Sequence, residues 1–389
     1  MNYKHLLFNV FAATAMFTAT ATLTSCGSKK SADADAADTI SFYKGADLGW
    51  ITEMEANGEK LYNAQGEERE ATALMKELGL NAVRHRVWVD PSAHDNWCNT
   101  EDLLVKCRRA KALDMDIMID FHYSDWWADP GQQHKPAAWR GLGPEDLKKA
   151  IATHTEEVLA ALKREDIYPK WVQVGNEIRP GMIWDAKTEL SGASFDIKAR
   201  DVKGWGSQSD TIAFHANWQN LADFSNAGYE AVKRIFPQAI CITHLDNGYD
   251  KELYNWFFDN LKQHGGKWDM IGMSLYPFWT QMEHPTYTDR QIVADCISNI
   301  KELSKKYGCD VMIVETGMNC ADDEGRLAAD SVLEAGKQLL SHIIVASRDS
   351  TDGHCKGVFY WEPECRPSKY RLGAFDDKGK PTVIMEAFK

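Results

Sequence analysis

A single (β/α)8 TIM barrel is the α/β fold class that the sequence predicts, and three observations predict it. From about Ser41 to the end of the 389-residue chain, short apolar runs alternate with longer amphipathic stretches, and the alternation recurs eight times. Apolar runs of this kind read as buried strands. Their C-terminal ends release charged, amide and aromatic residues, at the rim where a parallel barrel assembles its chemistry. A doubly wound sheet shares the alternation, but no run is followed by a Gly-rich phosphate turn. No internal repeat or interior linker divides residues 41–389, so they read as one catalytic-sized domain.

In chain order, the candidate strands are Lys44–Gly49, Asn81–Trp88, Met115–His122, Lys170–Gly175, Gln238–His244, Trp268–Tyr276, Asp310–Thr316 and Gly357–Trp361. Each is an apolar run of strand length. Between them, Glu67–Leu78, Glu101–Leu113, Pro144–Lys163, Ile212–Ile235, Lys251–Gln263, Asp289–Tyr307 and Leu327–Ser347 have the length and periodicity of helices. Gly79 and Asn247-Gly248 punctuate them as turn residues do.

The ends of the chain and its composition bound the function. A formal net charge of −13 argues against nucleic acid or anionic membrane surfaces as targets. Fourteen tryptophans supply flat faces on which sugars could stack, although core packing accounts for some of them. Residues 1–26 form a secretory signal: Lys4 and His5 precede an apolar segment from Leu6 to Leu23. Its close, Leu23-Thr24-Ser25-Cys26, resembles a bacterial lipobox, which implies a lipid on Cys26 after cleavage. Residues 27–40 are a polar, low-complexity tether. Acidic residues soon after Cys26 resemble surface-export signals of Bacteroidetes lipoproteins, implying an outer-membrane anchor and the outer face of a Gram-negative cell. After the N-terminus no apolar run is long enough to span a bilayer. Of the eight other cysteines, Cys98 with Cys107 or Cys355 with Cys365 would close short disulfide loops, and none has metal-site spacing.

Two carboxylates carry the chemistry. Trp171-Val172-Gln173-Val174-Gly175-Asn176-Glu177 is a buried-strand run ending in a polar pair, and Glu315 ends Cys309-Asp310-Val311-Met312-Ile313-Val314 in the same way. Both therefore fall on one rim. Two carboxyl groups facing one cleft are the minimum apparatus for glycoside hydrolysis, one protonated to donate and the other ionised to attack. Arg84 and Arg86 on the second strand would hold a neighbouring carboxylate ionised, while burial beside Trp or Tyr would keep the other neutral. A buried Arg–Glu network that serves packing alone would account for the same residues.

The rim motifs carry a family resemblance across nearly all of the chain from Gly45. Gly45-Ala46-Asp47-Leu48-Gly49-Trp50, Arg84-His85-Arg86-Val87-Trp88, Phe121-His122-Tyr123-Ser124-Asp125-Trp126-Trp127-Ala128-Asp129-Pro130, Gln173-Val174-Gly175-Asn176-Glu177-Ile178 and Ser274-Leu275-Tyr276-Pro277 resemble glycoside hydrolase family 53, the endo-β-1,4-galactanases. The resemblance implies a retaining, chain-internal cut in pectic galactan or arabinogalactan by a monomer. It makes Glu177 the general acid/base and Glu315 the nucleophile. It implies that His122, Asn176, His244, Tyr276 and Trp361 line the subsite of the reacting galactose, with Arg84 facing the nucleophile. Arg86, Asp125, Trp88 and Trp126 are further candidates for substrate contact, as are Trp127 and Trp279 as stacking platforms.

Departures from the family and rival functions complete the reading. Some bacterial members carry calcium in a long loop near strands seven and eight. Here the segment Thr316-Gly317-Met318-Asn319-Cys320-Ala321-Asp322-Asp323-Glu324 is short and lacks regular ligand spacing, so no metal or other cofactor is expected. Asp185 to Asp210 reads as a long loop shaping distal subsites. The alternatives are another β-1,4-glycanase of the clan, acting on mannan or xylan, and a glycan-binding lipoprotein on a degenerate barrel.

Overall fold

A computed structural model describes residues 42–184 and 218–389. The signal segment with Cys26, the tether and the loop Asp185 to Asp210 lie outside the described residues. Eight parallel strands close into a barrel in sequential order. They are β1 (Tyr43–Asp47), β2 (Ala82–Val87), β3 (Asp116–Phe121), β4 (Trp171–Val174), β5 (Ile240–Leu245), β6 (Met270–Leu275), β7 (Asp310–Thr316) and β8 (Cys355–Trp361). Outside them run α1 (Ile51–Ala56), α2 (Ala71–Glu77), α3 (Thr100–Ala112), α4 (Pro144–Arg164), α5 (Trp218–Ile235), α6 (Lys251–Gln263), α7 (Pro277–Glu283), α8 (Asp289–Tyr307) and α9 (Asp330–Asp349).

The helices begin and end where local chemistry satisfies their free backbone groups. Asn99 accepts from the Asp102 N–H at the head of α3, and Thr288 with Gln291 forms a capping box on α8. Gly308 then closes α8 in the left-handed region, φ 70°. Within Glu67–Leu78, the helix begins only at Ala71, because Glu68–Arg69 pairs with Leu61–Tyr62 in a small antiparallel hairpin. The short helices α1 and α7, absent from the sequence pattern, follow β1 and β6 directly.

Barrel geometry sorts side chains by height. A dry floor is built from one or two residues of every strand: Tyr43, Ala82, Met118, Trp171, Ile242, Met270, Met312 with Val314, and Phe359. Two residues further along, on the same inward face, stand Arg84, Asp120, Gln173 and His244. Polar side chains thus begin one layer above the floor, all buried.

Strand β7 breaks the simple alternation. Met273 and Ser274 are adjacent on β6, yet their partners are Ile313 and Glu315. The β8 pairing likewise advances two residues while β7 advances three, from Ile313 to Thr316. Val314 is the extra residue of a bulge, which lets both Val314 and Glu315 serve the interior.

The cysteine expectation is corrected. All eight described cysteines are free. Cys355 begins β8 and Cys365 lies past its end, so a strand rising about 3.3 Å per residue separates them. Cys98 Sγ faces the Gly49 carbonyl at 3.7 Å, whereas Cys107 sits on α3 in the core between helices and strands.

The floor gives a direct test of packing. A Cβ on Gly45 in β1 would collide with the Phe359 ring. Gly45→Ala is therefore expected to cost about 1–3 kcal/mol, read as a lower midpoint in urea unfolding.

Candidate active site

Arg84 stands at the centre of the rim. Its Nη1 donates to Asp47 of β1 and, at 2.8 Å, to Glu315 Oε1 of β7. Its Nη2 donates to Asp120 Oδ2 of β3 at 2.8 Å and to Asn176 Oδ1, just past β4, at 2.7 Å. A planar fork of donors suits this task, which a lysine ammonium would not perform. Burial pushes the Asp120 pKa up, but Arg84 and His122 outweigh it and hold the carboxyl below its usual range.

Glu315 and Glu177 reach the same cavity by different routes. The β7 bulge turns Glu315 inward, where it also accepts from the Tyr276 hydroxyl at 2.9 Å. Glu177 leaves β4 through Gly175, φ 82°, and itself adopts φ 47°. A left-handed glutamate is strained by of order 1–3 kcal/mol, and such outliers collect at working sites. Its carboxyl accepts from Ser274 Oγ at 2.6 Å, and Ser274 in turn meets His244 Nε2 at 2.9 Å. Nδ1 of His244 faces the Gln173 amide nitrogen at 3.1 Å and the Glu177 N–H at 3.4 Å. Asn176 Oδ1 lies 3.0 Å from the same nitrogen. Burial and then Arg84 push the His244 pKa well down, so the ring is neutral.

The electrostatic surroundings of the two glutamates differ. Burial raises the Glu177 pKa well above the ordinary value, and the charges of Glu315 and Asp246 raise it further, against the hydrogen bond from Ser274. Burial also raises Glu315, but Arg84 opposes it, and hydrogen bonds from Tyr276 and Arg84 do the same. Glu177 is thus the site that holds a proton longest as pH rises. Such a split assigns acid and base roles.

The cavity has a volume of about 550 Å³. Its lining includes His122, Asn176, Glu177, Tyr276, Glu315 and Trp361 from the sequence reading, with Trp127 and Trp279. His122 Nε2 donates to Asp120 at 3.0 Å, and its Nδ1 accepts the Ala128 N–H at 3.1 Å. Asn176 Nδ2 donates to the Ala128 carbonyl at 2.7 Å, leaving its second amide hydrogen for a ligand.

Several expected contacts lie behind the lining or beside it. Arg86 does share the inward side with Arg84, but it pairs with Glu362 and packs 4.3 Å from the Trp127 ring centre. Trp88 is 1% exposed, and its Nε1 donates to His122, so it presents no face to a sugar. His244 is buried and acts through Ser274. Asp125 ties loops, accepting the N–H groups of Asp90 and Ala137. Trp126 is half-exposed, but His94 stacks on it with ring centres 3.5 Å apart. Residues not singled out from sequence include Asp47, Asp120, Gln173, Asp246, Glu283 and Tyr370. Strand period would have found Asp120 and Gln173, two residues above the floor.

The residues do not fit the calcium of some family members. Arg371 occupies the oxygens of the segment after β7, donating to Asn319 Oδ1 at 3.0 Å and to the carbonyls of Ala321 and Asp322 at 3.1 and 2.8 Å. Among the described residues one group could share an ion: Glu362, Glu364 and Cys365. Glu362 there already accepts from Arg86 and the Gly49 N–H, and a thiol is a poor calcium ligand.

A parallel barrel presenting two carboxyls of split proton affinity to one aromatic-walled cleft defines a glycoside hydrolase of the two-carboxylate kind. The comparisons with known proteins are more specific. The model of glycosyl hydrolase family 53 matches residues 43–382, and the chain belongs to that family. An uncharacterized protein of Niallia circulans is 30% identical over 372 residues, covering 90% of this chain and 93% of its own. An arabinogalactan endo-β-1,4-galactanase of Cellvibrio japonicus is 28% identical over 382 residues, with 92% of each chain covered. A solved fungal β-1,4-galactanase superposes with a TM-score of 0.70 at 25% identity, covering 89% of this chain and 98% of that one.

Two variants test the electrostatics. Arg84→Met leaves buried carboxylates unpaired and is expected to cost about 3–5 kcal/mol in urea unfolding. For Glu177, the folded-state pKa lies above the unfolded one, so its ionisation destabilises the fold progressively as pH rises through the folded value. Glu177→Gln should therefore raise Tm near neutral pH, with the gain vanishing below pH ~4, under the ordinary carboxylate value. A gain independent of pH would contradict the raised pKa.

Proposed function

We propose that the chain is a retaining endo-β-1,4-galactanase in which Glu177 is the acid/base and Glu315 the nucleophile. One observation carries the division of roles: Glu315 accepts from both Arg84 and Tyr276, whereas among the described residues Glu177 accepts from Ser274 alone and sits beside other carboxyls. The relatives named as galactanases support galactan as the substrate, in preference to mannan or xylan.

The chemistry follows from those surroundings. Glu177 gives its proton to the glycosidic oxygen as Glu315 Oε2 or Oε1 attacks the anomeric carbon, forming a galactosyl ester with inversion. Once esterified, Glu315 carries no charge, so the repulsion that raised Glu177 is removed and its pKa falls. The Glu177 carboxylate then takes a proton from water as the water displaces Glu315, and the second inversion restores the original configuration. Arg84 and Tyr276 hold the charge returning to Glu315. Trp361 and Trp127 offer ring faces to the sugars.

We also propose that the barrel works at the outer face of a cell, tethered by residues 27–40 to a lipid on Cys26, and acts as a monomer. The Leu23-Thr24-Ser25-Cys26 sequence and the acidic, polar residues after it support this reading. Loss of fatty-acid labelling in Cys26→Ala, and protease access to the barrel on intact cells, are the expected results.

The enzymatic roles are tested by kinetics on linear galactan. Glu177→Ala should lose about 10²–10⁴-fold in kcat, and Glu315→Ala should retain no retaining activity. Activity should fall at low pH as Glu315 is protonated and at high pH as Glu177 ionises. With an aryl β-galactoside, whose leaving group needs no proton, Glu177→Gln should lose the alkaline limb. An alkaline limb that survives would remove Glu177 from the acid role.

A further inference from the structure

The cavity has two unlike walls. Beside Glu315 stand Tyr276, which donates to it, and the ring pair Trp361 and Tyr370, with centres 4.7 Å apart. Glu177 shares the rest of the lining with Asp129, Asp246, Asn247, Trp279, Met282 and Glu283. Asp246 and Asp129 are placed on the Glu177 side by their charges, which both raise its pKa. Because the proton donor must touch the glycosidic oxygen, the sugar that departs lies on this acidic side.

That wall is built to receive something polar. Asp246 is 4% exposed, yet among the described residues its Oδ2 has no hydrogen-bond partner, and Nδ2 of the adjacent Asn247 has none either. Its other oxygen, Oδ1, accepts from Arg179 Nε at 3.0 Å. Trp279 and Met282 are 38% and 63% exposed and offer an apolar surface next to these groups. An acceptor, a donor and an exposed indole are what a neutral sugar ring requires. The described lining holds five carboxyl groups (Asp129, Glu177, Asp246, Glu283 and Glu315) and neither lysine nor arginine.

We infer that the wall beside Glu177 is a leaving-group subsite selective for a neutral sugar, that it excludes a uronate, and that Glu283 sets the exclusion. The inference rests on the assignment of Glu177 as proton donor. Like charges brought together in a partly desolvated cleft repel far more than in water. A carboxylate on the departing sugar would meet Asp246 and Glu283, while Arg179 bonds Asp246 through Nε and is not part of the described lining. Glu283 faces Asp246 after β5, Arg179 after β4 and Tyr249 before α6. Glu283 is exposed at the cavity mouth; partial desolvation and then Asp246 push its pKa up to about 7 against Arg179, so the wall gains charge through the neutral range.

Two linear β-1,4-linked tetrasaccharides, differing only in a reducing-end galactose or galacturonic acid, test this. Product analysis reads kcat/KM at the bond to that last sugar. The galactose form should be cut at least tenfold faster at pH 8.5, with the ratio several-fold smaller at pH 5.5. Catalytic ionisations of the free enzyme cancel in the ratio. Glu283→Gln should lower the ratio at pH 8.5 several-fold and flatten its pH dependence. Equal cleavage of both sugars by the unmodified protein overturns the exclusion. A ratio unmoved by Glu283→Gln overturns the role of Glu283. No cleavage of the all-galactose form would instead sink the galactanase reading, and this inference with it.

Discussion

The guanidinium of Arg84, sealed from solvent at the mouth of the barrel, is hydrogen-bonded to acceptors arriving from β1, β3, the end of β4 and β7. Placing that charge in a dry interior is tolerable only because carboxylates meet it, and those carboxylates are tolerable only because it is there. Asp47, Asp120 and Glu315 share one cation, so none is fully neutralised by it. The charge on Glu315 is thus set by competition among residues that also close the barrel. Removing the arginine would damage fold and chemistry together.

Geometry around this centre comes from two local departures from regular structure. The bulge at Val314 lets an apolar floor residue and a polar rim residue follow one another on the inner face of β7. The left-handed backbone at Glu177, after Gly175, swings its carboxyl into the cleft from a strand whose regular part ends at Val174. Arg86 does comparable work one layer out. It binds Glu362 and sits near the rings of Trp50, Trp88 and Trp127, fixing the aromatic wall without touching the cavity. Its guanidinium fits because Gly49 has no Cβ, which would otherwise collide with it.

Much of this was legible in the sequence. Short apolar runs marked the eight barrel strands to within a residue or two, even β2, where Arg84-His85-Arg86 interrupts the run. The rim position of Glu177 and Glu315 followed from those runs, and family motifs named the pair. Sequence did not distinguish a residue lining the cleft from one supporting it. Arg84 and Arg86 share a face by alternation, yet only Arg84 reaches Glu315; Trp88 and Trp361 both end strands, yet only Trp361 is at the cavity. Height in the barrel and register between neighbours decide these cases, and neither is encoded within one strand. The hairpin at Leu61–Tyr62, the short helices α1 and α7, and the free state of the cysteines are likewise tertiary outcomes.

The central claim, that Arg84 and Tyr276 make Glu315 the nucleophile while Glu177 keeps the proton, is open to covalent trapping. A 2-deoxy-2-fluoro-β-galactosyl oligosaccharide with an activated leaving group should slow turnover of the ester enough for it to accumulate. Mass spectrometry of the digested protein should then find one added glycosyl group, on the peptide containing Glu315. A label on Glu177, or hydrolysis with no adduct, would contradict the account.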